Sequence, residues 1–591
     1  MPSPIDTAED SAEKHSLERS PSSQSASENQ APTKALHTLL GAGNKAPLPR
    51  TLQPRHLSFV AIGGTIGTGI FFSLGSVVAT GGAGGALVAY ILVGIFCFAV
   101  VLTLGEMASL IPVSGAFSTF GSRFVSPALG FTLGWSYWLQ WSFSIPSELI
   151  AASIILSYWT DKLKTWEWSL ISKYFTCRRF SGGPCPDTTR SPTVILPVFA
   201  FNCLGTRAWG ESEYWLALIK VIMIVLFIIV GLIYDWGGVI GHPGPGLSNF
   251  RDGPFFDGFS GVAKSFTFAF YSYGGVELVA LAAGESANPH KSIPRAIKAT
   301  FIRIVLFYVL TVLVVGLCIN RNDPSLFSAY DNSDVAASPI TTVFRQAGFG
   351  AAVHVVNAVL LTAVLSATNS CFYASSRMMT ALARENKAPA IMGWTTKRGV
   401  PIPALLLTLF ISFLTFLTSA IGTGATFTWL LSITGILSLV TWISIAAINL
   451  RFRSAFKAQG RDVSDLPYRA PLGPLLPILA IVLGAAMFGA QGWAATTYED
   501  GKMAQDLVAV YIGLVYFIIL FVGYCIWHKF WIKSDRPLLV PLLECDFDTG
   551  AVWGVGEGQS VKAQDAEEKR LLKAEKGHLG YAWLKIRESV W

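Results

Sequence analysis

Five ionisable side chains lie within or at the edge of long apolar runs, and each is a candidate for chemistry. Lys220 is the only charge in the run from Tyr214 to Tyr234. Glu277 lies in the run Phe259–Ala283, Glu285 follows just beyond it, Glu148 lies in Leu129–Trp159, and Glu106 stands near the end of Gly85–Ile111. If such runs cross a bilayer, each charge costs about 2.5–3.5 kcal/mol on insertion scales, so it is retained for a reason. An ammonium or carboxylate taken out of water there can pass between charged and neutral forms, as a proton carrier must. Each has a plainer reading beside it. Lys220, about two turns into its run, can snorkel to the interface. Glu285, eight residues after Glu277 and about 80° further round a helix, can reach the interface near Asn288-Pro289. Glu148, just after Pro146, and Glu106 can each accept an interhelical hydrogen bond.

The second chemical signal is backbone. Gly63-Gly64-Thr65-Ile66-Gly67-Thr68-Gly69 sits inside the apolar run Leu57–Val78. Four glycines in seven residues make a poor helix, at about 1 kcal/mol each against Ala. In a membrane, broken backbone is tolerated where it lines a cavity, and its freed amides form an anion site. A second interruption, Tyr273-Gly274-Gly275, sits in the run Phe259–Ala283, flanked by Phe270 and Tyr271. Paired broken helices point to the binding site of a secondary transporter, and aromatics beside a break suit gates over a small substrate. The competing reading is close packing of helices through small residues.

These residues need helices across a bilayer to position them. The chain has 591 residues, 52% hydrophobic and 14% charged, against about 25% charged in soluble domains. Runs of spanning length, about 17–25 residues, follow one another. They are Leu57–Val78, Gly85–Ile111, Leu129–Trp159, a short Val194–Gly205, Tyr214–Tyr234, Phe259–Ala283, Phe301–Ile319, Ala351–Tyr373, Ile402–Ala420, Phe427–Leu450, Leu472–Gln491 and Leu507–Trp527. The expectation is an all-α integral membrane protein of about twelve transmembrane helices. Met1 to Arg50, Ser-, Glu- and Pro-rich, reads as a disordered N-terminal tail, residues 51–533 as the membrane domain, and 534–591 as a C-terminal tail. The net charge of +7 is no nucleic-acid footprint, because its Lys and Arg cluster in short loops. Arg50, Arg55, Arg123, Arg207, Lys291, Arg295, Lys298, Arg303, Arg384, Arg451 and Lys529 fall in alternate loops, which puts both termini in the cytoplasm. The eight cysteines make no CxxC, and neither a metal nor a cofactor is implied.

One segment breaks the charge pattern. Residues 173–193 carry Lys173, Arg178, Arg179 and Arg190 on the outer side and cut the fourth run short. Removing them joins Trp166–Ser172 to Val194-Ile195-Leu196 in one stretch of spanning length. Two readings stand: a segment retained from the gene that is foreign to the functional protein, or an outer loop closed by Cys177 and Cys185.

The motifs resemble a family. Ile62–Phe71, Leu104-Gly-Glu-Met-Ala108, Glu148–Ala152, Ala217-Leu-Ile-Lys-Val221, Gly275-Val-Glu-Leu-Val279, Ala283–Pro289, Ser375-Ser-Arg377 and Leu466–Pro471 look like the fungal amino acid permeases (YAT family) of the amino acid–polyamine–organocation superfamily. The resemblance runs from about Arg55 to beyond Trp527. It implies a five-plus-five inverted repeat with two extra helices, the first and sixth broken. It implies a substrate carboxylate on amides of Thr65, Ile66, Gly67, Thr68 and Gly69, with Glu148, Tyr271, Tyr273, Gly274, Gly275 and Glu277 around the substrate. It further implies proton coupling through Lys220, Glu277 and Glu285. Val276 departs from the family's usual Thr before the sixth-helix glutamate and removes a hydroxyl that could contact substrate. Gly284-Glu285 before Asn288-Pro289 looks more like the cationic permeases, which favours Lys and Arg slightly over a broad or neutral range. The expected partners are amino acid, protons and the bilayer of the plasma membrane, with the tails offering sites for trafficking or ubiquitination machinery. A sensor that binds amino acids without moving them is the competing class, and its relatives carry longer extensions. An enzyme has no support, because no nucleophile–base pair appears.

Overall fold

The computed structural model describes residues 66–159, 195–239, 243–286, 288–323, 338–497, 503–532 and 538–590, together with His56, Phe59, Val60 and Leu326. Thr65, the N-terminal tail and the segment 173–193 with Cys177 and Cys185 lie outside the described residues.

The described residues form helices and connecting turns without a β-sheet. Among them, nine helices are long and apolar enough to cross a membrane. Helices this uniformly apolar have no wet face and must be buried in protein or lipid. Their burial sorts the bundle: the sixth span is 78% buried and central, whereas the twelfth is 6% buried and presents its surface outward.

The expected interruptions are present. In the first span, helix resumes at Thr68–Phe71 after the extended Gly67 (φ −142°, ψ −138°). The sixth span stops at Tyr273 and restarts as Leu278–Ala283. The break turns on Gly275, whose φ of +88° is open to glycine at no steric cost. Two short connecting helices, Ala116–Phe124 and Pro339–Gln346, follow the second and seventh spans, so they too recur five spans apart.

Several boundaries differ from the apolar runs. The fifth span is Thr206–Asp235, so Lys220 stands about four turns inside it rather than two. The seventh starts at Pro289 and runs through a π-helical stretch, Arg303–Val309, to Cys318. Arg303, which the charge pattern assigns to a loop, is therefore inside a helix and fully buried. Its first turns are amphipathic, and an apolar window reads them as loop. The eighth reaches Arg384 and carries Arg377 inside it. The fourth span is described only as the eight-residue helix Ile195–Asn202.

The C-terminal tail is docked in part. Val540 N–H donates to Val125 O and Val552 N–H to Leu110 O, each at 2.9 Å. Phe547 is buried against Phe124, Phe452 and Phe456. Arg461 donates to both oxygens of Asp548 at 2.9 and 2.8 Å and holds that carboxyl below the usual carboxylate range.

Candidate functional site

The two breaks meet. Gly69 lies so close to the sixth span that a Cβ added there would stand 2.5 Å from Ser272 Cα, and Ser272 Oγ donates to the Gly69 carbonyl at 2.8 Å. A Cβ at Gly67 would lie 2.6 Å from Ala367 and 2.7 Å from a Glu148 oxygen. The glycines let three spans approach at backbone distance.

Glu148 projects into this junction from the third span. Ser126 caps that helix by accepting from Leu129 N–H at 3.1 Å, and Pro146 interrupts its ladder two residues before the acid. The Thr68 amide points at both Glu148 oxygens, at 3.3 and 3.4 Å, and the Thr68 hydroxyl donates at 3.0 Å. Tyr271 Oη donates to the same carboxylate at 3.1 Å and lies 2.9 Å from Thr68 Oγ1. The amide exposed by the broken first helix thus does seat an anion, and the anion is the protein's own. On the other side of the break, Lys220 Nζ donates to the Ile66 carbonyl at 3.1 Å. Lys220 is completely buried in protein, about four turns from the start of its helix.

A cavity of about 30 Å³ opens beside Glu148, lined by Gly69, Gln140, Trp141, Tyr271, Gly274 and Ser438 among others. It holds about one water molecule. An amino acid would require the third span and the first and sixth breaks to separate.

The other expected residues sit around this centre. Tyr273 faces away from the cavity: its hydroxyl donates to Tyr90 O at 2.9 Å, and its ring stacks on Tyr308 at 4.2 Å. Glu277 is buried and accepts from Trp442 Nε1 at 3.1 Å. Glu285 belongs to a separate network. It accepts from Arg377 Nε at 2.6 Å and from Tyr373 Oη at 3.2 Å, while Arg377 also donates to Thr206 Oγ1 at 2.8 Å. Glu106 is likewise closed by Arg453, Asn449 and the Ala470 amide.

Three polar residues escaped the sequence reading. Glu213, just before the run Tyr214–Tyr234, is fully buried and accepts from Ser366 Oγ at 2.7 Å and Asn369 Nδ2 at 2.9 Å. Arg303 donates to Tyr308 Oη from Nε at 3.0 Å and Nη2 at 2.6 Å. Gln140 lines the cavity, and among the described residues its Oε1 meets no hydrogen-bond partner. The helical spacing of Gln140, Ser144 and Glu148, four residues apart, was the one available signal for that face.

The two broken helices and Glu148 thus meet at one junction, and known proteins resemble the chain over its whole membrane region. The amino acid permease family pattern matches residues 56–536. The chain is 40% identical over 482 residues to the lysine-specific permease LysP of Escherichia coli (strain K12), covering 81% of this chain and 93% of that protein. It is 38% identical over 514 residues to the histidine permease HisP of Lactococcus lactis subsp. cremoris, covering 85% and 98%. It is 36% identical over 530 residues to the general amino-acid permease GAP2 of Candida albicans, covering 89% and 85%.

Proposed function

This chain belongs to the amino acid permease family, and from that premise we propose that it takes up amino acids together with protons across the plasma membrane, cationic ones first. The observation that carries the reading is the Thr68 amide seated on a carboxylate, with Lys220 on the neighbouring Ile66 carbonyl. In alternating access, the junction opens and the substrate carboxylate takes the Thr68–Gly69 amides from Glu148. The substrate α-ammonium meets free carbonyls of the two breaks. Displaced Glu148 supplies the countercharge for a cationic side chain, and the unpartnered Gln140 oxygen receives its head group. The name of the relative at 40% identity favours lysine.

Lys220 is the proposed coupling residue. Buried at the first break, it can pass between ammonium and amine as the junction is hydrated on one side and then the other. Glu277, buried on Trp442, is a second candidate, whereas Glu285 already has Arg377 as its partner.

A broad-range permease is the second reading. It is favoured by the uncharged hydroxyls of Ser144, Thr434 and Ser438 in the cavity wall. We further assign residues 1–50 and 534–591 to the cytoplasm, on the side where the charge-rich loops lie.

Uptake of labelled lysine into permease-deficient cells tests both readings. Lysine and arginine should compete at least tenfold better than leucine, and uptake should rise as the medium is acidified. Equal competition by leucine overturns the cationic preference, and indifference to outside pH overturns proton coupling.

A further inference from the structure

Glu213 does not line the cavity, yet it shares one buried helix face with Lys220. The two lie on one helix, seven residues apart, both fully buried. Seven residues bring side chains back to the same face, two turns and about 10.5 Å apart along the axis. Glu213 and Glu148 are the two carboxylates that act electrostatically on Lys220. Glu213 accepts from neutral donors, Ser366 Oγ and Asn369 Nδ2, and Asn369 is itself fixed by Asn202 Nδ2 at 2.7 Å. Lys220 is the cation that acts on this carboxylate from its own helix. Other ionisable groups nearby are Cys371 on the eighth span, Arg303 on the seventh, and Glu211, which pairs with buried His56 at 3.2 Å.

We propose that Glu213 is the proton-relay residue on the inner side of Lys220. The inference rests on the coupling reading given above and adds the second half of the path. In the step, the Lys220 Nζ–H bond breaks and leaves its electron pair on nitrogen, while a Glu213 oxygen gains the proton. An ion pair becomes a neutral amine and a neutral acid, so the step leaves no unpaired charge in the low-dielectric interior. Across the rise of about 10.5 Å the transfer requires the two side chains to extend towards each other or a water to bridge them. The neutral acid then releases its proton towards the end of the helix that carries Glu211, which is 36% exposed. Lys220 thus stands between two carboxylates with different tasks: Glu148 senses substrate and Glu213 passes the proton on.

The test uses full-length protein in proteoliposomes with labelled lysine. Two assays are run: accumulation driven by an acid exterior, and lysine–lysine exchange, which moves no net proton. Glu213→Gln keeps the cradle's shape, with its Oε1 accepting from Asn369 Nδ2 and its Nε2 donating to Ser366 Oγ. It should retain exchange within about twofold of wild type, lose at least tenfold of acid-driven accumulation, and flatten the pH profile. Glu213→Asp, which keeps a carboxylate, should recover part of the accumulation. Wild-type accumulation in Glu213→Gln overturns the relay while leaving Lys220 coupling intact. Equal loss of exchange and accumulation in a variant that is monodisperse in detergent also overturns it, in favour of a structural role. If wild type itself ignores the acid gradient, the coupling reading falls and takes the relay with it.

Discussion

The Glu285 carboxylate accepts from the Arg377 guanidinium at 2.6 Å across 92 residues of sequence, with both side chains buried. The pair ties the end of the sixth span to the eighth, and Arg377 extends the tie to Thr206 at the start of the fifth. A carboxylate so committed is not free to meet a substrate cation. Glu285→Gln leaves an uncompensated buried guanidinium, a loss of about 3–5 kcal/mol. The expected outcome is lower thermal stability, with lysine and leucine uptake falling together. A loss confined to lysine would return Glu285 to the substrate.

Glu148 should behave in the opposite way. Glu148→Gln keeps an acceptor for the Thr68 hydroxyl and amide but removes the charge, and a hydrogen bond to a charged group is worth about 1.5–3 kcal/mol. Lysine uptake should fall tenfold or more, chiefly through a raised KM, with a smaller change for leucine. Initial rates over a substrate series decide it. Equal losses would make Glu148 a structural cap on the first break.

Gly69 tests the backbone itself. Gly69→Val places a branched side chain where even a Cβ stands 2.5 Å from Ser272 Cα. Backbone cannot yield as a flexible side chain does. Uptake should be abolished while the protein still reaches the cell surface, measured by surface labelling beside transport. Wild-type uptake would sink the assignment of the two breaks as the site.

The positions of both breaks, and Lys220 as a buried cation, were legible in the sequence. Clustered glycines and a lone charge in an apolar run are local signals. Arg303 and Glu213 were not legible, and the reason is also local. Each stands at the edge of an apolar run, where a hydropathy window ends before the helix does. What makes them tolerable lies elsewhere: Tyr308 five residues on for Arg303, and Ser366 and Asn369, more than 150 residues away, for Glu213. Glu285 illustrates the converse. Read from the sequence as a proton carrier or a carboxylate reaching the interface, it is held by Arg377, 92 residues on.

The fourth span carries the last prediction. The apolar run Val194–Gly205 has 12 residues, about 18 Å as helix, against about 30 Å of hydrocarbon. Its side-chain contacts are nonetheless those of an inner helix: Asn202 donates to Asn369, and Phe199 meets Phe372 at 6.4 Å. A helix end packed on the eighth span needs a full-length crossing behind it. Joining Trp166–Ser172 to Val194 by deleting 173–193 supplies that length and removes Lys173, Arg178, Arg179 and Arg190 from the side the charge rule reserves for few basic residues. We therefore expect the shortened chain to reach the plasma membrane in larger amount and to transport faster per cell than the full one. Transcript sequencing should reveal a form lacking these codons. If the long transcript alone exists, and its product is delivered to the surface and transports as well as the shortened chain, then residues 173–193 are a genuine outer loop.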